Sequence, residues 1–330
     1  MEFNHLILAV LFIIICVIGL NLFIRYAHRF GLSDQPNQRS SHDYYVVRGG
    51  GVIFGLSWLL ACAYERSLFS YFNLGLLILM IVGFLDDLKG LSSLVRLFFQ
   101  FVSVFLLMRH FDLFESHGAI WLLVLAVLFT YLINVFNFMD GINGILGLYS
   151  LTVLLLLLHV GFITPGYDFS FVLLFTSVLS FLFFNFRSKA LVFSGDVGSL
   201  SISYLLIGGL VNLIIENRAN ATGFHFTLFL VIPVSIFLMD SFTTILHRLW
   251  LRENIFKSHR FHLYQIITPG IIKSHLIVSS LYFILQFFIT FLLWDEDDIH
   301  VIILFLLSLL LIFFLLRLLL LSKAKQITGR

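Results

Sequence analysis

Apolar runs of roughly twenty residues recur from one end of this chain to the other, and no other feature limits its fold as strongly. A helix rises ~1.5 Å per residue, so a run of that length spans the ~30 Å hydrocarbon core of a bilayer. Composition agrees: 60% of the 330 residues are hydrophobic and 12% are charged, more Leu, Ile, Val and Phe than a water-soluble core can hide. The sequence therefore predicts an all-α fold, a polytopic bundle of about eleven transmembrane helices. Their expected limits are 5–24, 49–65, 68–85, 94–108, 118–136, 145–163, 169–186, 200–217, 226–246, 274–294 and 299–321.

The first run follows "MEFNH", which lacks the basic start of a signal peptide, and no small-residue cleavage site follows it. It reads as a retained span. Cys16 and Cys62 both fall inside apolar runs, so neither a disulfide framework nor a cysteine metal site is expected. Seventeen of the twenty Lys and Arg residues fall on one set of loops and ends, and only Arg66, Arg109 and Arg218 on the other. Positive charge marks the cytoplasmic side, which places the N-terminus outside and the C-terminus in the cytoplasm. The chain reads as one integral membrane domain over 1–330, since no polar stretch is long enough for a separate soluble domain.

The polar clusters are sorted in the same way. Segments within 33–51, 86–96, 134–144, 187–199 and 247–273 all fall on the cytoplasmic side, and five such segments can converge on one site. In "GFLDDLKG", Asp86 and Asp87 are adjacent carboxylates at the end of an apolar run, where burying charge is expensive. The plain alternative is a solvated helix end. "NVFNFMDGING" (134–144) sets Asn134, Asn137, Asp140 and Asn143 three residues apart, with oxygens suited to a hard cation such as Mg²⁺. It could equally be a polar helix seam. "FSGDVGS" (193–199) puts Asp196 in a glycine turn that enters a span, a place where backbone N–H groups can meet phosphate oxygens. Asp240 lies within a span and requires a partner. The loop "HRLWLRENIFKSHRFHLYQ" adds Arg252, His259, Arg260 and His262 as anion-binding groups. Without HExxH, zinc is not expected. Paired acids, oxygen ligands, a glycine turn and basic residues at a membrane face suit phosphoryl transfer to a lipid phosphate, where catalysis is positioning and charge neutralisation.

The order "PNQRSSH…RGGG", "GFLDDLKGLSSLVRLFFQ", "NVFNFMDGINGI", "FSGDVGSL", Pro233 to Asp240 and "HRFHLYQ" resembles the polyprenyl-phosphate N-acetylhexosamine-1-phosphate transferases over about residues 33 to 265. The resemblance implies that undecaprenyl phosphate attacks a UDP-N-acetyl-sugar and that UMP leaves, with Mg²⁺ or Mn²⁺ on the pyrophosphate. It implies Asn137 and Asp196 as metal ligands, and Asp86 or Asp87 at the lipid phosphate, with Asp86 the proton acceptor. It further implies Phe193 stacked on uracil and Asn143 at the uridine. Arg260 and His262, with Arg252 and His259 nearby, would stand at the pyrophosphate or sugar, Asn37 and Arg48 would bind substrate from the first loop, and Asp140 would be a further acid. A bacterial inner membrane location, a possible homodimer and no nucleic-acid partner go with it.

The sequence departs from the family at several places, among them the lysine spacing of "DDLKG" and Tyr264 where many relatives have His. "YVVRGGG" replaces a Pro-Thr-Pro element with Tyr45, Val46 and Val47, and "HRFHLYQ" replaces a run of three histidines. These departures favour the branch that initiates O-antigen, lipopolysaccharide or related surface polysaccharide over the phospho-MurNAc-pentapeptide transferases. A secondary transporter is the competing reading from another class, but transporters place their acids near the bilayer midplane. A non-catalytic scaffold would tolerate substitution of Asp196.

Overall fold

A computed structural model of the chain describes residues 3–34, 44–161, 168–218, 223–254 and 261–328. The helices in chain order are α1 (Phe3–Tyr26), α2 (Val52–Tyr64), α3 (Tyr71–Lys89), α4 (Ser93–His110), the short α5 (Leu113–Ser116), α6 (Ala119–Met139) and α7 (Ile145–Gly161). They continue with α8 (Asp168–Asn185), α9 (Gly195–Asn217), α10 (Phe224–Val231), α11 (Ser235–Trp250), the short α12 (Leu263–Ile267), α13 (His275–Leu293) and α14 (Ile299–Thr328). Each expected span coincides with helix. Among the described residues, eight helical stretches are long and apolar enough to cross a membrane, and Val52–Tyr64, Ile145–Val160 and Phe169–Asn185 are shorter apolar helices. The protein is an all-α, multi-pass membrane protein. Among the described residues the strand pairing amounts to β1 (Ser33–Asp34) against β2 (Val46–Val47), antiparallel.

The helix α9 is the axis of the bundle. Its sequence mixes Gly and Ser with Leu and Ile, and 89% of its apolar window is buried, against 17% for the stretch containing α1 and 22% for α14. Small side chains let neighbouring backbones approach, the usual basis of helix association in lipid. The aromatic ring of Tyr204 stacks on Phe72 of α3 with centroids 4.8 Å apart. Helices α1 and α14, by contrast, expose Ile, Leu and Phe along most of their length, as surfaces facing hydrocarbon do.

One helix is broken in a way the sequence explains. Pro233 cannot donate a backbone hydrogen bond, and the run from Phe224 to Trp250 passes through a 3₁₀ turn, Ile232–Val234, between α10 and α11. In lipid the freed backbone groups require partners. Gln286 of α13 supplies them: Nε2 donates to the Ile232 carbonyl at 2.9 Å and Oε1 accepts from the Ile236 N–H at 2.8 Å. The Tyr149 hydroxyl accepts from the Phe237 N–H at 3.1 Å and itself donates to Gln286.

Candidate active site

Three helix ends meet at one end of the bundle: the C-termini of α3 and α6 and the N-terminus of α9. The start of α9 has no cap of its own, since the Ser194 side chain does not bond back to the helix. Asp87, reaching across from α3, does that work. Its Oδ1 accepts the N–H of Asp196 at 3.0 Å and its Oδ2 the N–H of Val197 at 3.1 Å. The positive end of the helix dipole and two charge-assisted bonds act on that carboxylate and offset part of the cost of burying it. The fit demands glycine twice. Gly195 has φ +69, and a Cβ there would stand 2.4 Å from Asp87 Oδ2; a Cβ on Gly83 would stand 2.6 Å from the backbone of Val197. The backbone amides expected to cradle phosphate thus already hold a carboxylate of the protein. This corrects the reading of the glycine turn as an open anion site.

Around that cap the acids gather. Asp196 Oδ1 accepts from Asn137 Nδ2 at 2.7 Å, and the same nitrogen donates to Ser199 Oγ at 2.9 Å. Arg96, in the first turn of α4, points one guanidinium nitrogen at Asp196 Oδ2 (3.0 Å) and Asp86 Oδ2 (3.1 Å). Asp86 Oδ1 also accepts the Leu91 N–H. Asp140, where α6 stops, accepts the Ser194 hydroxyl. Burial pushes the Asp140 carboxyl up from 3.8 to about 7; the Ser194 bond pulls it down and the charge of Asp87 pushes it further up. The three-residue spacing over 134–143 does not lie on one helix: α6 ends at Met139, and Asn134 pairs with Gln100 instead of the site.

The first loop runs beside the start of α9. Phe193 N donates to the Val47 carbonyl at 2.7 Å, Gly50 N to the Phe193 carbonyl at 2.9 Å and Gly51 N to the Ser194 carbonyl at 2.9 Å. These bonds fasten the first loop to the segment that enters α9. They also bring the Arg48 charge to bear on both Asp86 and Asp87. Phe193 is half-buried in the same place. Asn143 is brought near but turned inward: it is 1% exposed, and Nδ2 donates to the carbonyls of Arg187 (2.7 Å) and Ser188 (3.3 Å). It pins the loop that leads to Phe193.

His262 belongs to a second cluster on the other side of the α6 terminus. Its ring is 2% exposed, with Nδ1 3.3 Å from Thr244 Oγ1 and 3.7 Å from Asp240 Oδ1. The Tyr264 hydroxyl donates to the Phe138 carbonyl at 3.1 Å and joins the two clusters. Arg252 sits exposed in the turn after α11. Asn37, His259 and Arg260 lie outside the described residues.

Sequence reasoning counted Arg96 only as a topological charge, yet it ties the site together. A signal was present: a cation in the first turn of a helix opposes the dipole and requires anionic partners. Among the described residues no three His, Cys, Asp or Glu side chains form a metal-binding group. What assembles is two carboxylates, Asp86 and Asp196, and the hydroxyl of Ser199, with the amide nitrogen of Asn137 donating to Asp196 and Ser199; carboxylate and hydroxyl oxygens are ligands of the kind hard cations take.

The model of glycosyl transferase family 4 matches residues 69–214, which include every acid of the first cluster. A probable undecaprenyl-phosphate N-acetylglucosaminyl 1-phosphate transferase of Bacillus subtilis (strain 168) is 27% identical over 290 residues, 79% of this chain and 76% of that protein. A phospho-N-acetylmuramoyl-pentapeptide-transferase of Dictyoglomus thermophilum is 24% identical over 271 residues, 74% of this chain and 83% of that one. Another of the same name from Streptococcus sanguinis is 28% identical over 239 residues, 61% and 71%.

Proposed function

We propose that this chain, which is similar to glycosyl transferase family 4 over residues 69–214 and to transferases acting on undecaprenyl phosphate or in the same family, transfers an N-acetylhexosamine-1-phosphate from a UDP-sugar to undecaprenyl phosphate. An oxygen of the lipid phosphate bonds to the β-phosphorus of the UDP-sugar, the bond from that phosphorus to the bridging oxygen breaks, and UMP leaves. The product is an undecaprenyl-diphosphate-sugar. The observation that carries this reading is the knot of Asp86, Asn137 and Asp196, drawn from three helices and bridged by Arg96. Phosphoryl transfer needs little else than such positioned, charge-balanced groups.

The roles follow from position. Asp86, held by the Leu91 N–H and by Arg96, takes the proton of the lipid phosphate, while Arg48 and Arg96 balance its charge. Asp87 and Asp140 fix the start of α9 and so aim Asp196. Phe193 stacks on uracil beside the loop pinned by Asn143, and Asn37, Arg252, His259, Arg260 and His262 serve the pyrophosphate and sugar. Asp196, Asp86 and Asn137, its amide turned to present oxygen, suit Mg²⁺ or Mn²⁺; when bound, the ion neutralises the pyrophosphate.

The whole chain works as one unit at the cytoplasmic face of a bacterial inner membrane, a reading supported by its seventeen basic residues on one side. "HRFHLYQ" supports a role in initiating O-antigen or another surface polysaccharide. Purified protein in detergent, with Mg²⁺, undecaprenyl phosphate and a panel of UDP-N-acetyl-sugars, is expected to release UMP only when lipid, metal and one sugar are all present. It is also expected to lose turnover in Asp196→Asn. Folded protein that releases no UMP with any donor would sink the proposal.

A further inference from the structure

Arg317 is a buried cation in a helix that faces lipid. It lies in α14, inside an otherwise apolar run, and its side chain is 1% exposed. A cation that merely anchors a helix end runs its head out to water. This one points inward. Nη2 donates to the Asp240 carboxylate at 2.9 Å and to the Asp240 main-chain carbonyl at 3.1 Å, and Nη1 donates to the carbonyl of Phe261.

Asp240 passes that hold onward. Its Oδ1 accepts the N–H of Leu263 at 2.7 Å; its Oδ2 accepts the N–H of Tyr264 at 3.4 Å and the hydroxyl of Tyr282 at 2.7 Å. His262 therefore sits between two fastenings. The carbonyl before it is held by Arg317 and the amides after it by Asp240, while its ring is enclosed beside Thr244 and lies nearly parallel to Tyr264, 5.9 Å away at 17°. The arrangement needs a planar fork: one guanidinium reaches two acceptors on different segments, and a lysine ammonium on its flexible stem does not reproduce that geometry.

We propose that Arg317 is a positioning residue for His262, fixing from α14 the main chain on both sides of the enclosed imidazole. The kinetic part rests on the reaction proposed above; the geometric part does not.

The test uses the full chain in detergent micelles with Arg317→Met, Arg317→Lys, His262→Ala and the double variant His262→Ala/Arg317→Met. Displacing a catalytic group by about 1 Å costs ~10²-fold, so Arg317→Met is expected to lower kcat for UMP release by that order. Arg317→Lys is expected to recover part of the loss. The double variant is expected to be no slower than His262→Ala, because both changes remove the same contribution. Losses that multiply in the double variant, or a wild-type rate in Arg317→Met, overturn the proposal. If Arg317→Met fails to fold, Arg317→Lys carries the same cycle. If the wild-type protein releases no UMP, the reaction is wrong and the positioning is decided by carbethoxylation of His262, read by mass spectrometry. Protection in the wild type that is lost in Arg317→Lys supports it; equal labelling in the two overturns it.

Discussion

Asp87→Asn keeps the size of the side chain and removes its charge, and the geometry says what that does. In the native protein both carboxylate oxygens are engaged, Oδ1 by the Asp196 N–H and Oδ2 by the Val197 N–H, in a residue only 8% exposed. Asparagine offers one oxygen. Its amide nitrogen must face the other N–H, donor against donor, and that buried N–H loses its acceptor. An unmet buried donor costs ~1–3 kcal/mol, and losing the charge on the surviving bond costs ~1 kcal/mol more. Mid-range values give ~3 kcal/mol, which at ~1.4 kcal/mol per factor of ten makes opening of the first turn of α9 ~10²-fold more frequent. Hydrogen–deuterium exchange by mass spectrometry in micelles reads this directly. Peptides covering Ser194–Gly198 are expected to exchange faster by that order, those from α7 and α13 to stay unchanged, and UMP release to fall with the site. Asp86→Asn, which removes no acceptor from the α9 amides, is expected to stop turnover while leaving exchange at Asp196 as it was. An Asp87→Asn protein that is inactive yet exchanges like wild type would refute the capping argument and make Asp87 a chemical participant.

Three further outcomes follow from the same structure. Gly83→Ala would press a methyl against the Val197 backbone, which cannot yield as a side chain does, so a loss of ~1–3 kcal/mol is expected in thermal melting; wild-type melting would contradict the close approach of α3 and α9. Gln286→Leu strips partners from the Ile232 carbonyl, the Ile236 N–H and the Tyr149 hydroxyl. At ~0.6 kcal/mol per bond in a membrane protein, the expected destabilisation is ~2 kcal/mol in denaturation from micelles, and no change would remove its role at the Pro233 break. Asp140 carries a pH signature. Its folded value of about 7 lies above its ordinary 3.8, so the folded protein holds this proton more tightly. Its contribution to stability is complete below 3.8 and is lost as pH rises through about 7. Asp140→Asn measured in chelator should flatten that part of the stability profile, and identical profiles would exclude the assignment.

The helices were legible because lipid imposes one simple demand, a continuous apolar run, and each of the eleven expected runs is helical. Which helix sits at the centre was legible only in part. The Gly and Ser content of α9 marks it as an interface, but its near-complete burial depends on neighbours far away in sequence. Asp86, Asn137 and Asp196 could be chosen as site residues because carboxylates and amides are costly in such surroundings. Their division of labour could not, since it depends on which oxygen meets which N–H across 109 positions of chain. Asp240 was seen to need a partner, and Arg317 was on the page as a cation within an apolar run, yet nothing local couples α11 to α14. Arg96 and Arg317 were both absorbed by the positive-inside count, which treats every basic residue as equivalent.

The two clamped carboxylates also impose an order on biogenesis. Asp87 precedes the amides it holds by more than a hundred residues, so its helix is made well before α9. The second clamp runs the other way: Arg317 follows Phe261 by 56 positions, and α14 is made after α11 and α12. Until α14 joins the bundle, Asp240 stands inside a membrane protein without its counter-charge, a costly state. Arrival of α14 relieves that cost and closes the histidine segment in one event. Completion of the second cluster is thereby tied to completion of the bundle, and a ribosome-bound chain lacking α14 is expected to be an inactive one.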